Sequence, residues 1–345
     1  MGGMSLDPAG RGAASRILVC RLRYLGDVVL TTPFLSALRR ARPDAYLAYL
    51  AEEGPHEALV GHPDLNELLV VPRAPSRSGE AAAGGGGRRA RPAPRAGYRR
   101  EMLGLFGTLR ARRFDVAIDL FGNLRSALLV RATGAPVRVG GDFRGRRALY
   151  THKVRATAGD SVSFHLASLA PLGIAAGWTP PRLHASEPAR RWAEAYLAEH
   201  AVDDGPIVLL HPGGTEARKR WGLDRFGALG RRLHKRCGAN VLWLHGPGEA
   251  SLALAARDAA DAGVVAPPLP VPTLLGLLSR ADLLVANDGG AMHLGGALGV
   301  PLVGLFGPSD PAIWFPYARE GAGVALRAGE DSVAVSVEEA ERASL

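Results

Sequence analysis

The 345-residue chain has only two cysteines, Cys20 and Cys237, far apart and in no Cys-x-x-Cys pair. That excludes a disulfide framework and a zinc-ligand spacing, and it makes a reducing cytoplasm the default compartment. No run of about 18 apolar residues occurs, so no membrane-spanning helix is expected. Residues 1–15 are rich in small side chains and have no apolar centre; they read as a disordered N-terminus and not as a signal peptide. There is no Gly-x-x-x-x-Gly-Lys-Ser/Thr loop and no Asp-x-Asp pair. A P-loop nucleotidase and a transferase that chelates metal through such a pair both lose support.

What is present is an ordinary globular composition, 47% hydrophobic, at a length that suggests two domains, each with its own core. The net charge of +9 would fit a nucleic-acid binder, but its placement does not. Between Arg73 and Arg100 stand eight arginines and one acid, Glu80, which leaves a net charge of only +2 for the rest of the chain. The charge belongs to a segment and not to a folded basic face, so no nucleic-acid partner is expected. Residues 73–98 contain four consecutive glycines, several prolines and no aliphatic side chain larger than alanine. Such a stretch cannot bury enough apolar surface to offset its ordering entropy, and it reads as a disordered insertion.

Elsewhere, short apolar runs alternate with helical patterns. Strands are expected at 17–22, 45–51, 67–71, 115–120 and 137–140, with a helix following Gly26-Asp27 through about Arg42 and others near Glu57, from Glu101, at 123–131 and at 161–172. After a Pro-containing linker the alternation repeats: strands at 207–211, 240–245, 282–287 and 301–306, the last core strand, and helices from Ala189, at 224–235, 249–261, 272–279 and 291–298. This predicts an α/β protein of two doubly wound Rossmann-like domains, 16–185 and 186–345. In such sheets ligands bind beyond the carboxyl ends of the strands.

The chemistry-bearing residues do follow strands. Asn287-Asp-Gly-Gly-Ala-Met-His293 opens a helix; Gly289 and Gly290 allow close approach, free N–H groups can hold phosphate, and Asp288 can accept sugar hydroxyls. Its plainer reading is an Asn/Asp helix cap. In His211-Pro-Gly-Gly-Thr-Glu-Ala-Arg-Lys-Arg-Trp221, Thr215 can donate to a phosphate oxygen and Lys219 can neutralise a diphosphate, against the alternative of a solvated loop. Leu25-Gly26-Asp27 offers a carboxylate that could act as general base across a cleft, or simply cap a helix. His245-Gly-Pro-Gly-Glu-Ala-Ser251 resembles half of a dinucleotide loop, but Ser251 replaces the last glycine and no acid ends the next strand region, so a nicotinamide oxidoreductase is poorly supported; Glu249 could bind ribose hydroxyls instead.

Taken together, Arg21-Leu-Arg-Tyr-Leu-Gly-Asp-Val-Val-Leu-Thr-Thr-Pro33, His211-Pro-Gly-Gly with Lys219-Arg-Trp221, and Asn287-Asp-Gly-Gly-Ala-Met-His-Leu with Gly299-Val-Pro301 and Phe306-Gly-Pro-Ser-Asp-Pro311 resemble glycosyltransferase family 9, which includes the ADP-heptose:lipopolysaccharide heptosyltransferases. The likeness runs over residues 17–317 apart from the arginine-rich insertion. It implies a GT-B fold, acceptor domain first and donor domain second, that inverts the anomeric centre without an obligatory metal or other cofactor. By that match Asp27 takes the acceptor proton, with Gly26 on the acceptor side. Thr215 and Lys219 hold the donor diphosphate with the backbone of Gly289 and Gly290. Asp288 and His293 line the heptose side, Glu249 lies near the ribose, and Leu269 touches the adenine. Gly289-Gly290 departs from the family's usual Ser or Thr then Gly, which removes a hydroxyl from the phosphate site.

The implied reaction is heptose transfer from ADP-L-glycero-D-manno-heptose to Kdo-lipid A or heptosyl-Kdo-lipid A; the alternative is another nucleotide sugar or a surface-polysaccharide acceptor. With a lipid-linked acceptor, the basic segment has two readings. It loosely tethers the enzyme to the anionic cytoplasmic leaflet of the inner membrane, or it is a tolerated loop insertion.

Overall fold

The computed structural model describes residues 15–73, 97–143, 145–155, 159–200, 204–327, 329 and 334–345. The two segments expected to be disordered lie outside these, apart from Ser15, Arg73, Gly97 and Tyr98; Tyr98 already begins a helix.

The first half contains β1 (Arg16–Cys20), α1 (Leu25–Val29), α2 (Thr32–Ala41), β2 (Tyr46–Glu52), β3 (Glu67–Val71), α3 (Tyr98–Ala111), β4 (Val116–Asp119), α4 (Leu124–Ala132), β5 (Val137–Gly141), β6 (His152–Val154) and α5 (Ser161–Ala167). The second contains α6 (Glu187–Glu199), β7 (Ile207–His211), α7 (Leu223–Cys237), β8 (Asn240–Trp243), α8 (Ala250–Ala260), β9 (Val264–Val265), α9 (Val271–Leu278), β10 (Leu283–Asn287), α10 (Gly290–Leu298), β11 (Leu302–Phe306), α11 (Pro311–Trp314), β12 (Gly323–Arg327) and α12 (Val337–Ser344).

Each half builds a six-stranded sheet, in the orders β3-β2-β1-β4-β5-β6 and β12-β11-β10-β7-β8-β9. Every strand pairing is parallel. The order is the same in both halves, and it reverses between β1 and β4 and between β7 and β10. Those two reversals open a crevice at the carboxyl ends of the strands, where the backbone diverges to opposite sides of the sheet. The central strands are buried on both faces, as their unbroken apolar runs require.

One apolar cluster runs from α1 and α2 (Val28, Leu30, Phe34) to α10 and beyond (Met292, Leu294, Tyr317), joining the halves, while two others cover the far face of each sheet. The linker is tied to both sides: Arg182 N–H donates to the Thr32 hydroxyl and Leu183 N–H to the Ala297 carbonyl. Ser186 caps α6, which packs on α9. No helix among the described residues is long and apolar enough to cross a membrane.

Two expectations need correction and one needs completing. Residues 301–306 form the last fully buried strand, as expected, but not the last strand: β12 extends the sheet beyond β11, and α12 then packs on α7. β12, Gly-Val-Ala-Leu-Arg, carries a short apolar run but is only half-buried because it lies at the sheet edge. The helix expected through Arg42 is two helices, because Pro33 has no N–H to continue the first ladder. The helix expected over 161–172 ends at Ala167 and gives way to a 3-10 turn containing Pro171, for the same reason.

Candidate active site

The loop after β1 carries Asp27 in the first turn of α1. Its Oδ2 accepts the Tyr24 N–H at 2.7 Å and its Oδ1 pairs with the Arg21 guanidinium at 2.8 Å; the carboxylate is 12% exposed. The helix-cap interaction therefore leaves room for a further donor, since a carboxylate has about four lone-pair directions and these contacts use two. Arg21 is itself held by the Leu120 carbonyl at 2.7 Å, on the other side of the first reversal point.

Across the crevice, α10 begins at Gly290 directly after β10. Gly289 is extended and no side chain caps the helix, so neither Asn287 nor Asp288 plays the capping role that the plainer reading gave them. Among the described residues no side chain accepts from the first N–H groups of α10, an arrangement that favours an anion. Two glycines let the halves meet. A Cβ on Gly290 would press on the Leu25 side chain, and one on Gly26 would overlap the His293 ring. The N-terminal turns of α1 and α10 thus abut, and His293 stands beside the residue that precedes Asp27.

Lys219 comes from the β7 loop and Asp288 from the tip of β10. Their Nζ and Oδ2 atoms lie 2.8 Å apart, with Asp288 buried and Lys219 23% exposed. Burial pushes the His293 pKa down, while Asp288 and Asp27 pull it up and Lys219 opposes them. Asp27, His293, Asp288 and Lys219 therefore form one electrostatically connected group. Thr215 sits exposed in the same loop as Lys219.

Glu249 joins two loops at the second sheet's carboxyl edge. It accepts the Gly214 N–H at 2.9 Å and the Gly246 N–H at 3.1 Å, and lies 3.9 Å from His211. Burial lowers the His211 pKa, and Glu249 counters it. Glu249 keeps free lone pairs for a hydroxyl, but it also holds the loops together. Leu269 lies between β9 and α9, partly buried against the core. Among the described residues no three His, Cys, Asp or Glu side chains are grouped as for a metal ion.

Sequence reasoning missed Arg21, Tyr317 and Asn287. The Asn287 side chain makes three hydrogen bonds: Oδ1 accepts the Trp221 N–H at 3.0 Å, and Nδ2 donates to the Pro212 and Gly213 carbonyls at 3.0 and 2.9 Å. It fastens both ends of the loop that carries Lys219. Its place inside the Asn287-Asp288 motif was the available signal, but its partners lie some 70 residues earlier. Asn287→Ala leaves a buried N–H and two buried carbonyls unpaired. It is expected to destabilise the protein by about 1–3 kcal/mol. Urea denaturation of the full chain measures this, and an unchanged midpoint would mean that the loop is held by other contacts.

The family model for glycosyltransferase family 9 (heptosyltransferase) matches residues 102–341. The chain is similar to lipopolysaccharide heptosyltransferase 3 of Escherichia coli, 27% identical over 311 residues that span 86% of this chain and 85% of that protein. Its fold is similar to that of a family 9 glycosyl transferase from Veillonella parvula, with a TM-score of 0.80, 24% identity and 95% of each chain covered. It is also similar to E. coli heptosyltransferase WaaC solved with ADP, with a TM-score of 0.75, 22% identity, and 95% of this chain and 98% of that one covered. With the family model spanning more than half of the chain, from α3 to α12, and the two-sheet GT-B architecture in place, this chain belongs to glycosyltransferase family 9, the heptosyltransferases.

Proposed function

We propose that the protein transfers heptose from ADP-L-glycero-D-manno-heptose to a lipopolysaccharide inner-core acceptor, Kdo-lipid A or heptosyl-Kdo-lipid A, inverting the anomeric centre. The observation that carries this reading is the meeting of α1 and α10, which sets the Asp27 carboxylate opposite the Lys219–Asp288 pair and an uncapped helix N-terminus. The names of the relatives supply the sugar and the acceptor class.

In this reading Asp27 takes the proton of the acceptor hydroxyl. The resulting oxygen attacks the anomeric carbon, the bond from that carbon to the β-phosphate oxygen breaks, and ADP leaves with the bonding pair. Lys219, the N–H groups at Gly289 and Gly290, and the Thr215 hydroxyl offset the charge on the leaving diphosphate. Asp288 and His293 face the heptose, Glu249 the ribose and Leu269 the adenine. Incubation with a panel of nucleotide sugars, scoring released nucleotide with and without lipid acceptor, tests the assignment. Release from ADP-heptose that depends on Kdo-lipid A or its heptosylated form supports it. Turnover only with another donor, or only with a surface-polysaccharide acceptor, overturns that part.

Because Lys219 and the helix terminus place positive charge where the diphosphate would sit, transfer is expected to proceed in excess EDTA. Complete loss of activity that Mg²⁺ or Mn²⁺ restores would refute metal independence. The reading also puts the enzyme in the cytoplasm, in loose contact with the inner membrane through the arginines of residues 73–100, since a basic residue near an anionic leaflet contributes about 1 kcal/mol. Sedimentation with anionic liposomes is expected to fall with salt and to vanish when those residues are replaced by a short Gly-Ser loop. Equal sedimentation of the shortened chain would end the tether idea.

A further inference from the structure

The buried pair His293–Tyr317 lies behind the seam between α1 and α10. Tyr317 comes from the segment after α11, and its ring is fully buried, packed against Gly296 of α10 and edge-on to Phe315. Its hydroxyl is in hydrogen-bonding range of two groups at once: the His293 carbonyl oxygen at 3.1 Å and the His293 Nδ1 at 3.0 Å.

Counting protons decides how both bonds can form. The phenol has one proton, and burial drives its pKa well above the ordinary tyrosine value, so it keeps that proton. The carbonyl can only accept. If the phenol donates to the carbonyl, the second bond requires Nδ1 to donate to the phenol oxygen. Burial also lowers the His293 pKa, which favours the neutral ring. A neutral ring protonated at Nδ1 carries its lone pair on Nε2. The Cδ2–Nε2 edge is the one that lies against Gly26, next to Asp27.

We propose that Tyr317 is a positioning residue for glycosyl transfer: it holds His293 as the Nδ1–H tautomer, so that Nε2 presents a hydrogen-bond acceptor to a sugar hydroxyl beside Asp27. The opposite tautomer would present an N–H there, which would favour a carboxylate or phosphate oxygen and offer nothing to a hydroxyl proton. The inference rests on the transferase reading for the identity of the ligand, and on the two contacts of Tyr317 with a buried, protonated phenol and a neutral ring for the tautomer.

The test uses the full chain labelled with ¹⁵N-histidine. Long-range ¹H–¹⁵N correlation reports which ring nitrogen carries the proton, and the His293 signals are identified by their loss in His293→Asn. The native protein is expected to show Nδ1 protonated and Nε2 bare. Tyr317→Phe keeps the ring and removes the hydroxyl; it is expected to move the population toward Nε2–H and to lower kcat/KM about five- to tenfold, the weight of one neutral hydrogen bond. Native protein with Nε2–H overturns the proposal, as does Tyr317→Phe with an unchanged tautomer. A shifted tautomer with full kcat/KM overturns the positioning role. The spectra are recorded without substrate, so an error in the assigned donor or acceptor shows in the nucleotide-sugar panel and leaves the tautomer result standing.

Discussion

Asp27→Asn is expected to lower the turnover of heptosyl transfer by roughly 10²–10⁴-fold, the usual weight of a general base, while the affinity for ADP stays near that of the native protein. The amide is nearly isosteric with the carboxylate and can still accept the Tyr24 N–H, so the first turn of α1 keeps its closure. What it cannot do is take a proton from a sugar hydroxyl. It also cannot neutralise Arg21, which retains the Leu120 carbonyl as a partner. A loss of turnover with unchanged thermal denaturation and unchanged ADP titration assigns the effect to proton transfer. Near-normal turnover would remove Asp27 from the mechanism and leave it as the helix cap that its contact with Tyr24 already makes it.

Lys219→Ala is expected to weaken binding of ADP and ADP-heptose by about 1.5–3 kcal/mol, or roughly 10- to 150-fold in Kd, the range for a hydrogen bond to a charged group. The ion pair between Lys219 and Asp288 changes how this result is read. If Lys219 holds the diphosphate, the ligand meets an ammonium group already paired with Asp288, which uses one of its three N–H donors and offsets its charge. In Lys219→Ala, Asp288 is left as an uncompensated anion that repels the ligand. Asp288→Ala separates the two effects. It frees Lys219, so ADP is expected to bind as well as before or better, while ADP-heptose loses the contact to its sugar. The double variant should restore part of the ADP affinity lost in Lys219→Ala, because neighbours in one ion pair are not additive. Calorimetry with both ligands on all three variants measures this. If Lys219→Ala binds both ligands as tightly as the native protein, the diphosphate assignment is wrong.

Much of the site was legible because strand tips are local features. The apolar runs at 207–211 and 282–287 end at His211 and Asn287, where β7 and β10 end. Gly, Thr, Lys and Asp following such runs mark the carboxyl edge of a parallel sheet whatever the remaining topology. The expected strand 240–245 overran β8 by two residues, since Leu244 is buried and continues the apolar run, yet lies outside the strand. β6, with sequence His-Lys-Val, carries no apolar alternation because it is an edge strand with one flank open to solvent, and in β12 the apolar stretch is only Val324-Ala325-Leu326, too short to stand out.

By itself the sequence determined the alternation of strands and helices, the doubling of that pattern, and which residues stand at the ends of the strands. Periodicity and proline or glycine placement are read over a few residues and act over a few residues. Only the tertiary structure decided who meets whom. The Lys219–Asp288 pair joins residues 69 apart, the Asn287 amide closes a loop from 66 to 75 residues away, and Tyr317 reaches back 24 residues to His293. Gly26 and His293 belong to helices that follow strands of different sheets. These contacts exist because two reversed strand orders put four loops on facing edges, and because an apolar cluster continuous from α1 to α10 holds those edges together. Partner choice of that kind follows from how buried surfaces pack, which no short window of residues contains.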